Sequence, residues 1–196
     1  MAVDLSVSLP SATTLAVVAE EAIRFMDSLL GWPGMPRMTF VTGREYQGDV
    51  RVSLGRHLSD EELRGAVIGS PGQTEFFEVD LAGYGDGAWL QVFDLSNQVD
   101  TDPVEVVVTP TRTSVGVTLS RCLAIGAAIA GGGRILEDDL HIFSTDFKDF
   151  EVFAARHRLT TASVDFADAC TRFLRQFPTL NGWPQEACLP AGWTPG

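Results

Sequence analysis

The stretch Val115–Glu137 constrains the fold more than any other part of this 196-residue chain. Apolar residues alternate with small or polar ones over Val115–Leu119, a period that predicts a half-buried strand. Ser120 then offers a hydroxyl group that can cap the start of a helix. The following residues carry no charge between Arg121 and Arg134. We therefore expect a helix that is covered on most sides.

Three consecutive glycines, Gly131–Gly133, predict the end of that helix, because glycine accepts the positive φ of a helix C-terminus. A glycine run can also cradle phosphate, but phosphate-binding loops precede a helix, and this run follows one. Ile135-Leu136 then predicts a short strand.

The rest of the chain predicts further strands and helices. Val3–Leu9 reads as a first strand, an amphipathic helix covers Leu15–Leu30, and Arg37–Thr42 returns as a strand. This strand-helix-strand order usually makes the two strands parallel. Ser59 and Glu62 form a capping box for a short helix through about Ile68.

A hairpin and two helices are expected in the second half. The predicted strands are Glu75–Leu81, Ala88–Leu95, Val104–Val108 and an edge strand near Leu140–Phe143, and the predicted helices are Asp146–Ala155 and Ser163–Phe177. We predict the α+β class: one domain over residues 1–180 with a mixed or mostly antiparallel sheet and helices packed on one face. Residues 181–196 form a tail with Trp and Pro residues, which should wrap on the body.

Composition excludes several classes of function. The net charge of −12 argues against nucleic-acid binding through a broad basic surface and against adsorption to an anionic membrane. We find no uninterrupted apolar run of about 18 residues, so a transmembrane helix is not expected, and the N-terminus lacks the features of a secretory signal. Three cysteines without CxxC spacing fit a reducing compartment, so the cytoplasm is the expected location.

A long gap in positive charge marks the candidate partner-binding region. No Lys or Arg occurs between Arg64 and Arg112, whereas that span holds eight Asp or Glu residues. An acidic surface with aromatic anchors suits a basic protein partner, although a solvated sheet face that only keeps the protein soluble has the same composition. The candidate binding residues are Asp80, Tyr84, Asp86, Trp89, Asp94, Asp100 and Asp102.

Other candidate sites have weaker patterns. Glu137, Asp139 and His141 could bind a divalent metal, but the spacing matches no calcium loop and a polar turn explains it equally well. Neither a catalytic serine motif nor a paired histidine motif occurs. Cys122 and Cys170 lie on apolar faces of predicted helices, where they should act as small buried hydrophobic residues. No catalytic residue and no cofactor is therefore assigned.

The segment Val117–Asp139 resembles small uncharacterised bacterial proteins, some of which are similar to predicted immunity proteins of polymorphic toxin systems. The similarity consists of the strand, the small-residue helix, the glycines and the Ile and acidic residues that follow them. The resemblance implies a cytoplasmic α+β protein that binds one partner, and it transfers no functional residues to this chain.

The leading hypothesis is a non-enzymatic acidic protein of immunity or inhibitor type that neutralises a basic protein such as a toxin. One alternative is an enzyme with a dispersed site, such as a metal-dependent hydrolase that uses Glu137, Asp139 and His141. Another is a structural subunit of a larger assembly, which would self-associate.

Overall fold

The computed structural model describes residues 3–47, 50–70, 72, 74–84, 86–94, 104–160 and 163–184. Its strands are β1 (Leu5–Ser8), β2 (Thr13–Thr14), β3 (Met38–Gln47), β4 (Val50–His57), β5 (Val67–Ile68), β6 (Glu75–Leu81), β7 (Asp86–Asp94), β8 (Val104–Pro110) and β9 (Ile135–Asp138). Its α-helices are α1 (Leu15–Leu30), α2 (Asp60–Gly65), α3 (Ser114–Gly131), α4 (Phe150–His157) and α5 (Phe166–Leu174), and a 3₁₀ turn covers Pro178–Leu180.

One seven-stranded sheet organises the molecule, with strand order β4-β3-β6-β7-β8-β1-β9. Every neighbouring pair in it is antiparallel, and β2 and β5 form a separate small ladder. The α+β class with a mostly antiparallel sheet is therefore confirmed. Because the strand directions alternate, β1 and β3 run in the same direction, as the crossover predicts, but three other strands lie between them.

The helices cover one face of this sheet. Helix α3 lies against β1, β7 and β8, and α1 and α5 pack on α3. The strand residues beneath the helices are apolar and buried, with Leu90 and Val106 fully inaccessible. We call this side the covered face and the opposite side the open face.

Helix α3 differs from the prediction at its start. The strand expected at Val115–Leu119 is wrong, because α3 already begins at Ser114, and its N-cap is Thr113 rather than Ser120. Sixteen of the 18 residues of α3 are buried, so its sequence shows no polar stripe with a helical period. A short alternation in such a segment carries no information about strand structure. The predicted helix end is correct, since Gly132 adopts the left-handed conformation as C-cap.

Most other local predictions are confirmed. Helix α1 ends at the predicted glycine, Gly31, and the Ser59–Glu62 capping box forms both of its hydrogen bonds. The hairpin β6–β7 pairs Glu75–Leu81 with Asp86–Val92. Helices α2, α4 and α5 are shorter than predicted, and the edge strand expected near Leu140–Phe143 is instead a series of turns.

The most apolar helix and the start of the tail both belong to the packed body. Helix α3 has the length and composition of a membrane span, but it is mostly buried inside the fold, as core helices of soluble proteins are. Trp183 is half-buried against the core, and its amide donates to the Leu180 carbonyl at 2.8 Å. The rest of the predicted tail lies outside the described residues.

Candidate partner-binding face

The open face is formed by alternate residues of the three central strands β6, β7 and β8. Cross-strand partners point to the same side of a sheet, so the register defines this set. Besides Gly87, the nine open-face residues are Phe76, Glu78, Asp80, Trp89, Gln91, Phe93, Glu105, Val107 and Thr109. Phe76 is 43 % exposed, whereas Trp89, Phe93 and Glu105 are half-buried. Aromatic rings and carboxylates are thus interleaved on a side that the described helices leave uncovered.

A cation from β3 reaches this face and is held by two of its carboxylates. Arg44 donates to Glu78 Oε2 at 2.7 Å and to both oxygens of Asp80, at 2.6 and 3.2 Å. Burial would lower the pKa of Arg44, but the hydrogen bonds and charges of Asp80 and Glu78 outweigh it and raise that pKa. One positive and two negative charges leave this cluster with a net negative charge.

Two glycines allow Arg44 to reach the open face. Gly43 in β3 and Gly55 in β4 both have positive φ, 70° and 67°. A side chain at Gly55 would collide with Cγ and the amide nitrogen of Arg44, so the hairpin needs glycine there. Arg44 also donates from Nε to the Leu54 carbonyl at 3.2 Å. This last contact lies within the β3–β4 hairpin, whereas the hydrogen bonds of Arg44 to Glu78 and Asp80 attach the hairpin to β6.

Further carboxylates extend the acidic character across the face. Asp4, just before β1, accepts a hydrogen bond from the Thr109 hydroxyl at 2.6 Å. Glu137 on β9 lies opposite Ser6, which lies opposite Val107 of the open face. None of the nine open-face residues is a Lys or Arg. The open face therefore combines apolar contact area with negative charge.

The structure brings only some of the predicted binding residues together. Asp80 and Trp89 share the open face. Asp86 and Asp94 occupy the other side of β7, because strand residues alternate between faces. Tyr84 lies in the hairpin turn, with its ring centroid 4.9 Å from that of Phe166 in α5. Asp100 and Asp102 lie outside the described residues.

Asp86 has an internal role that the sequence did not reveal. Its carboxylate accepts hydrogen bonds from the hydroxyl groups of Thr111 and Thr113. Thr113 is the N-cap of α3, and its hydroxyl accepts from the Gly116 amide at 2.9 Å. Asp86 thus fixes the start of the central helix, a position at which negative charge is favourable.

The acidic turn after β9 is organised by a buried ion pair. Arg121 of α3 donates to Asp138 Oδ1 at 2.9 Å, and the two side chains are 2 % and 0 % exposed. Asp138 also accepts from the amides of Leu140, Ile142 and Phe143 at 2.8 to 3.0 Å. Asp138 therefore determines the course of the turn.

The metal-ligand set considered from sequence finds no support. Asp139 Oδ2 accepts the Asp4 amide at 2.8 Å, and His141 Nδ1 lies 3.0 Å from the Asp138 carbonyl oxygen. Among the residues that the structure describes, no group of three or more His, Cys, Asp or Glu side chains could hold a metal ion. Asp139 and His141 do line two cavities, of about 450 and 710 Å³.

Sequence reasoning missed Arg44 and Arg121 as organising residues. Arg121 offered a signal, because it is the only charge in an otherwise apolar helix of 18 residues, and such a charge must be paired when buried. For Arg44 no comparable signal exists, since its acidic partners are 34 and 36 residues away.

Comparison with known proteins gives no match for this chain among family models, curated proteins or solved structures. Its own geometry is therefore the basis for assigning a function.

Proposed function

We propose that this protein is a non-enzymatic binding protein of immunity or inhibitor type, which engages a basic protein through the open face. The observation that carries the proposal is the interleaving of Phe76, Trp89 and Phe93 with Asp80 and Glu105 on the side of the sheet that the described helices leave uncovered. Interfaces of this kind obtain most of their affinity from aromatic anchors and gain specificity from charge.

Charge supports the choice of a basic partner. The chain carries a net charge of −12, and Arg44, which reaches the open face from β3, is already paired with two carboxylates. The electrostatic potential of a surface with charges of one sign accelerates association with an oppositely charged protein, and this effect weakens as salt is added. The target we propose is a cationic surface such as the active site of a toxin, and both proteins would meet in the cytoplasm.

The aromatic residues support a contact rather than a merely soluble surface. An acidic face that only keeps a protein in solution does not need a Trp and two Phe residues among its carboxylates. Trp89 and Phe76 can pack against the aliphatic parts of Arg or Lys side chains and attract their charged ends. Asp80 lies opposite Gly87 and Glu105 lies opposite Phe93, six residues away on β7, so the two carboxylates are about 20 Å apart along the strand and would pair with different cations of the partner.

A matched pair of charge reversals tests the proposal. Glu105→Lys changes the open face, and Glu20→Lys makes the same change at an exposed position of α1. We would capture the partner from a lysate of the source organism at low salt, identify it, and measure association with each purified variant. We expect Glu105→Lys to slow association by about tenfold and Glu20→Lys to change it far less.

A second variant separates contact from charge. Trp89→Ala should weaken binding by about 2 kcal/mol, or roughly 30-fold in Kd, mainly through faster dissociation. A thermal melt of each variant verifies that the fold is intact. Equal effects of Glu105→Lys and Glu20→Lys would reject the open face as the contact surface. If the wild-type protein retains no protein at low salt that high salt then releases, this result would count against the proposed function itself.

A further inference from the structure

The middle of the open face presents side chains, because its backbone groups are used within the sheet. β7 pairs with β6 along Asp86–Val92 and with β8 along Ala88–Asp94. β8 pairs in turn with β1. The amide and carbonyl groups of β7 are therefore occupied on both sides, and an extended segment of a partner cannot add a strand to it. A partner must contact this part of the face through side chains.

Aromatic side chains form a stripe along β6 and β7. We call Phe76 on β6 and Trp89 and Phe93 on β7 the aromatic stripe. Two neighbouring strands, about 4.8 Å apart, make a stripe about 10 Å wide, and Trp89 and Phe93 are about 14 Å apart along the strand. An α-helix is about 10–12 Å across, and about nine of its residues span 14 Å. The stripe therefore has the dimensions of two and a half turns of helix.

The carboxylates on the two sides of the aromatic stripe differ in their pairing. On the β6 side, Asp80 already forms an ion pair with Arg44. On the other side lie Glu105 on β8, Asp4 just before β1 and Glu137 on β9. Among the described residues, no Arg or Lys forms an ion pair with any of these three. Uncompensated negative charge therefore lies along one flank of the stripe.

The covered face shows that this sheet accepts a helix over the same strands. Helix α3 lies against β1, β7 and β8 there, above the buried residues Leu90 and Val106. A helix suits a surface of side chains, because it satisfies its own backbone hydrogen bonds and needs only an apolar surface to pack on. The aromatic stripe offers such a surface on the opposite side of β7.

We infer that the part of the basic partner that binds the open face is an amphipathic α-helix lying along β7. Its apolar side would pack on the aromatic stripe, and Arg or Lys residues on one of its flanks would face Glu105, Asp4 and Glu137. This inference rests on the proposed function and specifies the element of the partner that is recognised. Recognition of an amphipathic helix by an apolar surface with charges beside it is a general mode of protein binding.

Two peptides of identical composition test the inference. Each has about 14 residues, half of them Leu and half Lys, which corresponds to about 21 Å of helix. In one peptide Leu and Lys follow the period of an amphipathic helix, and in the other they alternate as in a strand. We would measure the binding of each fluorescently labelled peptide to the wild-type protein by anisotropy at low salt. We expect the helical-pattern peptide to bind about tenfold more tightly and to gain helical circular dichroism as it binds.

Two pairs of variants locate the bound peptide. Trp89→Ala removes an anchor of the aromatic stripe, and Trp32→Ala changes a half-buried Trp in the loop after α1. Glu105→Lys and Glu20→Lys form the second pair. We expect each open-face variant to weaken binding of the helical-pattern peptide by about fivefold or more, and each control to change it by less than about twofold. Thermal melts verify the folds, and Phe76→Ala, at a more exposed position, replaces Trp89→Ala if that variant unfolds.

The failure of this inference can be distinguished from the failure of the proposed function. Equal affinities of the two peptides, no binding of either, or equal effects of the open-face variants and their controls would overturn helix recognition. If the natural partner captured from the lysate still loses affinity with Glu105→Lys, the proposed function stands and only the helix is wrong. A captured partner that Glu105→Lys does not affect would overturn the contact surface itself.

Discussion

Removal of Asp138 provides the most direct test of how this fold is held together. Asp138 and Arg121 are almost inaccessible to water, and Asp138 accepts four hydrogen bonds, one from Arg121 and three from backbone amides. Burial lowers the pKa of the Arg121 guanidinium, and the charge and hydrogen bond of Asp138 oppose that shift. Without Asp138, the acceptors that the described residues leave to Arg121 are the Val3 carbonyl and the Ser120 hydroxyl.

Asp138→Ala leaves a buried cation without its counter-ion, which typically costs about 3–5 kcal/mol of the free energy of unfolding. For a chain of this size that loss lowers Tm by about 6–20 °C. Arg121→Met should cost less, because the Asp138 carboxylate keeps its three amide donors and methionine fills much of the vacated space. A larger loss of unfolding free energy for Asp138→Ala than for Arg121→Met distinguishes this arrangement from a simple salt bridge, in which both changes would cost the same.

Urea denaturation monitored by circular dichroism at pH 7 measures these losses. Arg37→Ala is the control, because the Arg37–Asp60 pair is 72 % and 66 % exposed and such pairs contribute about 0–1 kcal/mol. A loss below about 1 kcal/mol for Asp138→Ala would mean that the carboxylate is not the partner of a buried charge. The reasoning about the turn would then be refuted.

Two further predictions concern the buried side of the molecule. Gly126→Ala should destabilise the fold by about 1–3 kcal/mol, because its Cβ would lie 2.7 Å from the Ala22 amide nitrogen and the Val18 carbonyl oxygen of α1. Gly65→Ala is the control, because the space at its Cβ is open. We expect this variant to be nearly neutral in the same chemical denaturation experiment. Burial raises the pKa of Cys170 to about 12, so its thiol should resist alkylation in the folded protein at pH 8. The unfolded thiol ionises near pH 8.5 while the folded one does not. Its contribution to stability is therefore complete below about pH 8.5 and declines as the pH rises towards 12. Unfolding midpoints that increase with pH over this range would contradict the predicted direction of the change.

The candidate site was only partly predictable from sequence. The gap in positive charge directed attention to the β6–β7 hairpin, and the structure places Asp80 and Trp89 on one face of the sheet. Asp86 and Trp89 are three residues apart on one strand, so their side chains must point to opposite faces. The period of a strand predicts that separation. Nothing in the sequence predicts the hydrogen bonds from Thr111 and Thr113 to Asp86.

The sequence by itself determined the elements whose signals are local. The apolar period and glycine stop of α1, the Ser59–Glu62 capping box and the glycine-rich β6–β7 hairpin each depend on residues within one or two turns of the chain. Their physical causes are backbone conformation and nearby hydrogen bonds, which a short segment contains in full.

Only the tertiary structure decided the start of α3 and the partners of the buried charges. The first residues of α3 are surrounded by other elements, so packing rather than periodicity makes them helical. Arg121 meets Asp138 across 17 residues, and Arg44 meets Asp80 across 36, because the strand order brings these positions together. Since a buried charge needs a partner in space and not in sequence, the register of the sheet determines which carboxylates pair with these two arginines.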